Sequence, residues 1–87
     1  MNEIFIVEGE RSNYNGTTRK VLGVYSSLER SHKTIQEYFV STLDSIDEAR
    51  YQNYVVAEHF LNDALTRPSQ TIVTFKADYK NLQLLKI

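Results

Sequence analysis

The sequence predicts an α+β domain in which a small antiparallel sheet carries helices on one face, in the order β-β-α-α-β. Three observations carry that expectation. Two β-favouring runs within residues 3 to 25 are separated by an Asn-Gly pair. A serine followed three residues later by a glutamate opens a stretch of helical spacing, and does so twice. After Pro68, apolar and polar residues alternate from Val73 to Asp78.

The first strand is expected over residues 3 to 9, Glu-Ile-Phe-Ile-Val-Glu-Gly, where β-branched and aromatic residues crowd a short run ending at glycine. Ile4 and Ile6 point to one side and Phe5 and Val7 to the other, so the strand is central or its second face is covered. Asn13, Asn15 and Gly16 supply turn chemistry, and Asn-Gly provides the positive φ angles of a tight hairpin. Residues 18 to 25, Thr-Arg-Lys-Val-Leu-Gly-Val-Tyr, form the returning strand, with Gly23 marking a bulge or a close backbone approach.

Ser26-x-x-Glu29 has the spacing of a capping box, in which hydroxyl and carboxylate each satisfy a backbone N–H left open at a helix start. Leu28, His32, Ile35, Phe39, Leu43 and Ile46 then line one side of a helix that lies on the sheet. His32 falls within that stripe, and a partly buried imidazole bonded to a nearby carbonyl is expected there rather than a catalytic base.

A second box, Ser45-x-x-Glu48, with Asp47 beside it, suits the positive end of another helix dipole. Ala49, Asn53, Ala57, Phe60, Leu61, Ala64 and Leu65 continue the helical repeat, and Thr66-Arg67-Pro68 ends it, predicting a helix over residues 46 to 66. Tyr54, Val55 and Val56 pull the other way, since such a cluster favours a strand; the alternative order is β-β-α-β-β with residues 53–60 as a strand. Beyond Pro68, Val73, Phe75 and Ala77 face one side and Thr74, Lys76 and Asp78 the other, as in a half-buried strand. The apolar tail from Leu82 to Ile87 is expected to pair at a sheet edge or against another copy.

Eighty-seven residues with one proline and three glycines make one domain, spanning residues 1–87. At roughly 0.05 to 0.15 kcal/mol per residue such a chain is stable by about 4 to 13 kcal/mol and has little to spend on a strained active site. With no cysteine, disulfides and thiolate metal sites are excluded. No segment approaches the roughly 20 apolar residues of a membrane span, and the start of the chain lacks a basic signal-peptide stretch, so a cytoplasmic protein is expected.

Charge is unevenly placed. Residues 44 to 66 hold Asp44, Asp47, Glu48, Glu58 and Asp63 against Arg50 alone, whereas residues 67 to 87 hold Arg67, Lys76, Lys80 and Lys86 against Asp78 alone. Opposed segments of this kind suit a self-complementary homodimer or a charged partner. A second subunit would also cover the free face of the first strand.

Neither histidine has the company catalysis needs. His59 and Asp63 stand at i, i+4 on the predicted second helix, a spacing that fits a surface hydrogen bond better than a cation site or a proton relay. No phosphate-binding loop, nucleophile elbow or zinc-protease motif is present, so no catalytic residue, metal or cofactor is assigned and the chain reads as a non-enzyme.

Two surfaces are candidates for binding. Arg11, Tyr14, Arg19 and Lys20 gather on the hairpin, a pattern of cations around an exposed aromatic that stacks bases and neutralises phosphates. Glu8, Glu10 and a pI near 6.1 dilute it, leaving RNA or DNA contact as the alternative reading. Asp47, Glu48, Glu58 and Asp63 would form an acidic side on the second helix.

An apolar strand ending in Glu-Gly, a polar hairpin, then Gly-Val-Tyr-Ser-Ser at positions 23 to 27 and a helix resembles small accessory proteins of tailed bacteriophages, which carry a "GVFSS" or "GVYSS" joint. The resemblance covers about the first 40 residues. It implies a strand after the first helix, at Tyr54 to Phe60, and no catalytic residue. It also implies a role: binding and inhibiting or redirecting a host protein, whether an enzyme, a toxin or a defence complex, in the host cytoplasm.

Overall fold

In a computed structural model, which describes residues 3–44, 50–60 and 70–87, the chain is an α+β fold of one five-stranded antiparallel sheet and one helix. In chain order the elements are β1 (Glu3–Asn13), β2 (Gly16–Tyr25), α1 (Leu28–Thr42), β3 (Asn53–Phe60), β4 (Gln70–Asp78) and β5 (Gln83–Lys86). The sheet order is β2-β1-β3-β4-β5, so β1, β3 and β4 are interior and β2 and β5 are edges.

The hairpin turns within the predicted polar stretch, but its two turn residues are Tyr14 and Asn15, and of the Asn-Gly pair only Gly16, the first residue of β2, has a positive φ. Asn13 pairs with Gly16 across a two-residue turn, and Gly16 takes φ 126, a conformation side chains rarely adopt. Further along, the register shifts between Val7 and Glu8, which leaves Leu22 as the extra residue of a bulge. The bulge falls next to Gly23, against which the Tyr25 side chain folds back.

The predicted second helix is not supported, because residues 53–60 form β3. Tyr54, Val55, Val56 and Ala57 are all buried, an uninterrupted apolar run that suits a strand flanked on both sides, here by β1 and β4. The helical spacing of Asn53, Ala57 and Phe60 is fortuitous: ladder hydrogen bonds to two neighbours outweigh a repeat with no face to bury. The alternative order and the strand implied by the bacteriophage resemblance agree with this element. Ser45, Asp47 and Glu48 of the second capping box, and residues 61–69 with Asp63, lie outside the described residues. The tail pairs at the sheet edge as β5, giving β-β-α-β-β-β.

Helix α1 starts one residue later than the capping box predicts. Ser27, not Ser26, takes the extended N-cap conformation (φ −135°, ψ 146°), and its Oγ accepts from Arg30 N at 3.2 Å. Arginine therefore occupies the third helical position, and Glu29 is left to favour the dipole from the first turn. The buried stripe is correspondingly rotated: Ser31, Ile35, Phe39 and Thr42 face the sheet, while Leu28 is 37% exposed. Ile46 of the predicted stripe lies outside the described residues. At the other end Arg50 donates through Nε to Thr42 O (3.2 Å) and through Nη2 to Leu43 O (2.8 Å), satisfying carbonyls the last turn leaves open.

Between α1 and one sheet face lies the core: Phe5, Val7, Ile35, Phe39, Tyr51, Tyr54, Val56, Val73 and Ala77. On the other face Val21 and Val24 of β2 are 55% and 54% exposed, although Val55 and Ala57 of β3 are buried. A fully exposed valine side chain forgoes about 1.5 kcal/mol or more of burial, so this face is the costlier one to leave in water.

Candidate functional site

The hairpin outruns the rest of the sheet. The pairing of β1 with β3 ends at Glu10 and Asn53, so residues 11–18 pass beyond that ladder as a two-stranded arm, with Tyr14 at its tip 97% exposed. Two-stranded ribbons are marginal alone, and this one is tied down at its base.

The tie is a row of side chains across three strands. Counted outwards from the turn, Glu10 on β1 faces Arg19 on β2, and Arg19 Nε donates to Glu10 Oε2 at 2.8 Å. Asn53 on β3 pairs with Glu10 from the other side, and its Nδ2 donates to Glu10 Oε1 at 3.1 Å. Both carboxylate oxygens are thereby engaged, by a cation and an amide held on rigid strands. Gln52 extends the seam. Its backbone N donates to Glu10 O (2.8 Å), its Nε2 donates to Ser12 O (2.9 Å), and its Oε1 accepts from Ser12 N (3.2 Å), a side-chain amide standing in for the next ladder residue. Beyond it, the Ser12 and Thr17 hydroxyls lie 2.9 Å apart across the arm.

The helix-side face of the same end is aromatic and cationic. The Arg11 guanidinium lies 4.2 Å from the Tyr51 ring centre, and Arg50 stacks 4.9 Å over Tyr79. Tyr51 presses on Gly9, where a Cβ would lie 2.5 Å from Tyr51 Cδ1. Tyr79 donates its hydroxyl proton to Tyr51 O at 2.6 Å, and Thr42 Oγ1 donates to Phe39 O at 3.0 Å. Tyr54, whose hydroxyl is buried near both, therefore finds its neighbours' protons already committed, and among the described residues its oxygen has no well-formed hydrogen bond. Burial, with Tyr79 adding to it, holds that phenol well above the usual tyrosine range.

The structure thus divides the sequence-predicted basic cluster. Lys20 and Arg11 belong to the helix-side face, opposite Gly9 and Thr18 in the register, whereas Arg19 lies on the other face, bonded to Glu10. Tyr14, Arg19 and Lys20 are exposed, whereas Arg11 is half-buried. Of the acidic set, Glu58 sits on β3 rather than on a helix, close to Glu3. Partial loss of water and the hydrogen bond and charge of Glu3 push its carboxyl above the ordinary range. Asp47, Glu48 and Asp63 lie outside the described residues.

The histidine readings change as well. His59 is in β3 rather than on a helix, and Asp63 lies outside the described residues. His32 is half-buried with its ring edge-on to Phe75 (centroids 5.3 Å apart, 88° between planes), and among the described residues its buried Nε2 has no hydrogen-bond partner in place of the expected carbonyl. No group of three or more metal-ligating side chains occurs among the described residues. A shallow depression of about 450 Å³ lined by Lys33, Gln36, Glu37, Val40 and Ser41 lies on the exposed side of α1 and includes no hairpin residue.

Sequence reasoning treated Glu10 as a dilution of the basic hairpin and passed over Gln52, Asn53 and Tyr51. Glu10 with Arg19 was legible only as opposite charges on one hairpin; Tyr14 and Asn15 as the turn residues decide that they face each other. The contributions of Gln52 and Asn53 were not, because they depend on β3 pairing with β1 across 40 or more positions.

Fold and site together define an α+β fold with, among the described residues, one sheet, one helix and a braced, protruding hairpin. The chain matches no known family, no curated protein and no solved structure. Among the described residues no helix is long and apolar enough to cross a membrane.

Proposed function

We propose that the protein is a small accessory protein of bacteriophage type that binds a host protein by surface complementarity, inhibiting or redirecting it, with the β1–β2 hairpin as its principal contact. The observation that carries this reading is Tyr14: an almost wholly exposed aromatic ring on an arm whose base is held by Arg19, Glu10, Asn53 and Gln52. A preorganised aromatic gains interface area without the cost of ordering a loop, and tyrosine is among the residues that dominate interface energetics. The bacteriophage context rests on the resemblance of the first 40 residues. In this reading the chain is not an enzyme, acts in the host cytoplasm, and needs no cofactor.

A homodimer belongs to the same proposal. A second copy would cover the sheet face on which Val21 and Val24 stand exposed beside Ile4 and Ile6. Nucleic-acid contact fits less well, because Arg11 and Arg19 are on opposite faces and both are engaged by side chains of the fold.

Affinity capture from host lysate with the wild-type chain and with Tyr14→Ala tests the contact. Truncating an interface anchor costs about 2 kcal/mol or more, roughly 30-fold in Kd, so the captured partner should be lost from the variant while its thermal stability is unchanged. Retention of the partner by Tyr14→Ala removes the hairpin from the reading. Mass in solution at micromolar concentration decides the dimer, and a strict monomer eliminates it.

A further inference from the structure

We propose that Asn15 is a self-modification site, at which the folded chain converts asparagine to aspartate and isoaspartate through a cyclic imide formed with its own backbone. The inference is independent of what the hairpin binds.

The chemistry requires a backbone nitrogen that can reach the side-chain carbonyl carbon of the preceding asparagine, and Gly16 supplies it. Having no Cβ, glycine places no bulk beside the nucleophile, and beyond its chain neighbours nothing lies within 4 Å of where a Gly16 Cβ would stand. Asn15 is exposed, in the two-residue turn of an arm that extends past the β3 ladder, and loop tips of this kind open most readily. Water and base therefore reach the group, and asparagine is among the thermolabile residues.

The step balances without an added oxidant or enzyme. The Gly16 nitrogen, after losing its proton to base, bonds to Asn15 Cγ; the bond from Cγ to the side-chain nitrogen breaks and ammonia leaves. Water then opens the five-membered ring at either carbonyl. Opening on one side gives aspartate, and opening on the other gives isoaspartate, which carries the main chain through one extra methylene.

Both products place a carboxylate next to Tyr14. The isoaspartate product also lengthens a turn that is closed by Asn13 and Gly16 and followed by the Ser12–Thr17 hydroxyl contact at 2.9 Å, so it misaligns the arm from its tip. The braced base at Glu10, Arg19 and Asn53 confines that change to the tip.

Two other asparagines serve as controls within the chain. Asn13 is followed by Tyr14, which carries a Cβ beside the nucleophilic nitrogen where Gly16 carries none. Asn81 is followed by Leu82, which carries a Cβ beside the nucleophilic nitrogen where Gly16 carries none.

The experiment incubates the folded full chain at neutral and mildly alkaline pH, then digests it with trypsin and follows the peptide spanning residues 12–19. Replacement of NH by O should accumulate at Asn15, resolve into two chromatographic products, and run many-fold faster than at Asn13 in the same peptide or at Asn81. It should accelerate at the higher pH and vanish in Asn15→Gln. Equal rates at Asn13 and Asn15 overturn the proposal, as does conversion at Asn15 only after denaturant has unfolded the chain. The comparison of Asn13 with Asn15 needs no variant, so a misfolded substitution leaves the test intact.

Discussion

Glu10 on β1 accepts from Arg19 on β2 at 2.8 Å, and its second oxygen accepts from Asn53 on β3 at 3.1 Å, so one carboxylate links three adjacent strands at the base of the hairpin. Glu10 is the more enclosed partner, with its side chain 16% exposed against 50% for Arg19. Removing the acid therefore costs more than removing the cation, because it leaves Arg19 and Asn53 both without an acceptor. Glu10→Ala is expected to destabilise by about 1 to 2 kcal/mol and Arg19→Ala by about 0.5 to 1. The double variant should fall short of the sum by a few tenths of a kcal/mol or more, as denaturant melts of the four proteins will show.

Ser27 rather than Ser26 caps α1, and paired alanine substitutions distinguish them. Ser27→Ala removes the Oγ that accepts from Arg30 N and should cost about 1 kcal/mol, whereas Ser26→Ala should change stability by less than about 0.5. Thermal melts read by circular dichroism at helical wavelengths measure both. A larger loss from Ser26→Ala would return the cap to the position the sequence predicts.

Gly9 is required by a side chain rather than by its own φ. Tyr51 occupies the space of the missing Cβ, so Gly9→Ala should destabilise by about 1 to 3 kcal/mol through overpacking. In a Tyr51→Ala background the same change should be nearly neutral. Equal costs in the two backgrounds, measured by urea unfolding, would show that the contact does not limit packing.

Two carboxylates shift in opposite directions and mark different pH windows. Asp78 accepts from the side chain and backbone of Asn81, which lower its pKa below the ordinary 3.8. Its contribution is present above 3.8 and is lost as pH falls through the lower folded value. Glu58, pushed above its ordinary 4.5 by partial desolvation and by Glu3, binds more protons folded than unfolded. Its contribution is complete below 4.5 and is lost as pH rises through the higher folded value. Stability followed against pH should lose its decline just above 4.5 in Glu58→Gln, and lose part of its acid-side fall in Asp78→Asn. Curves unchanged by either substitution would contradict the assignments.

How much of this was legible depends on how far apart the interacting residues lie. The polar turn between the first two strands and the apolar line Ile35–Phe39 follow from short-range spacing; the Glu10–Arg19 pairing does not, because Asn15 and Gly16 as the two turn residues would set Glu10 against Val21. Ser27 was missed because two consecutive serines offer the same cap, and one residue of rotation on a helix decides which line of side chains meets the sheet. His32 was placed in the right stripe but given the wrong partner: an aromatic edge at Phe75 stands where a carbonyl was expected. Of the hairpin residues in the candidate site, Arg11 and Lys20 stand on the helix-side face and Arg19 on the other, since alternation along a strand sends neighbours in a sequence cluster to opposite faces.

By itself the sequence determined the hairpin, the first helix and the half-buried strand after Pro68, all of which rest on local turn chemistry, capping and periodicity. Only the tertiary structure decided residues 53–60, where helical spacing and β-favouring side chains were both present. Local preferences there differ by less than the ladder bonds and two-sided burial gained when Tyr54, Val55 and Val56 enter the middle of a sheet. The same long-range pairing brought Gln52 and Asn53 to Ser12 and Glu10, and so turned a polar hairpin into a braced arm.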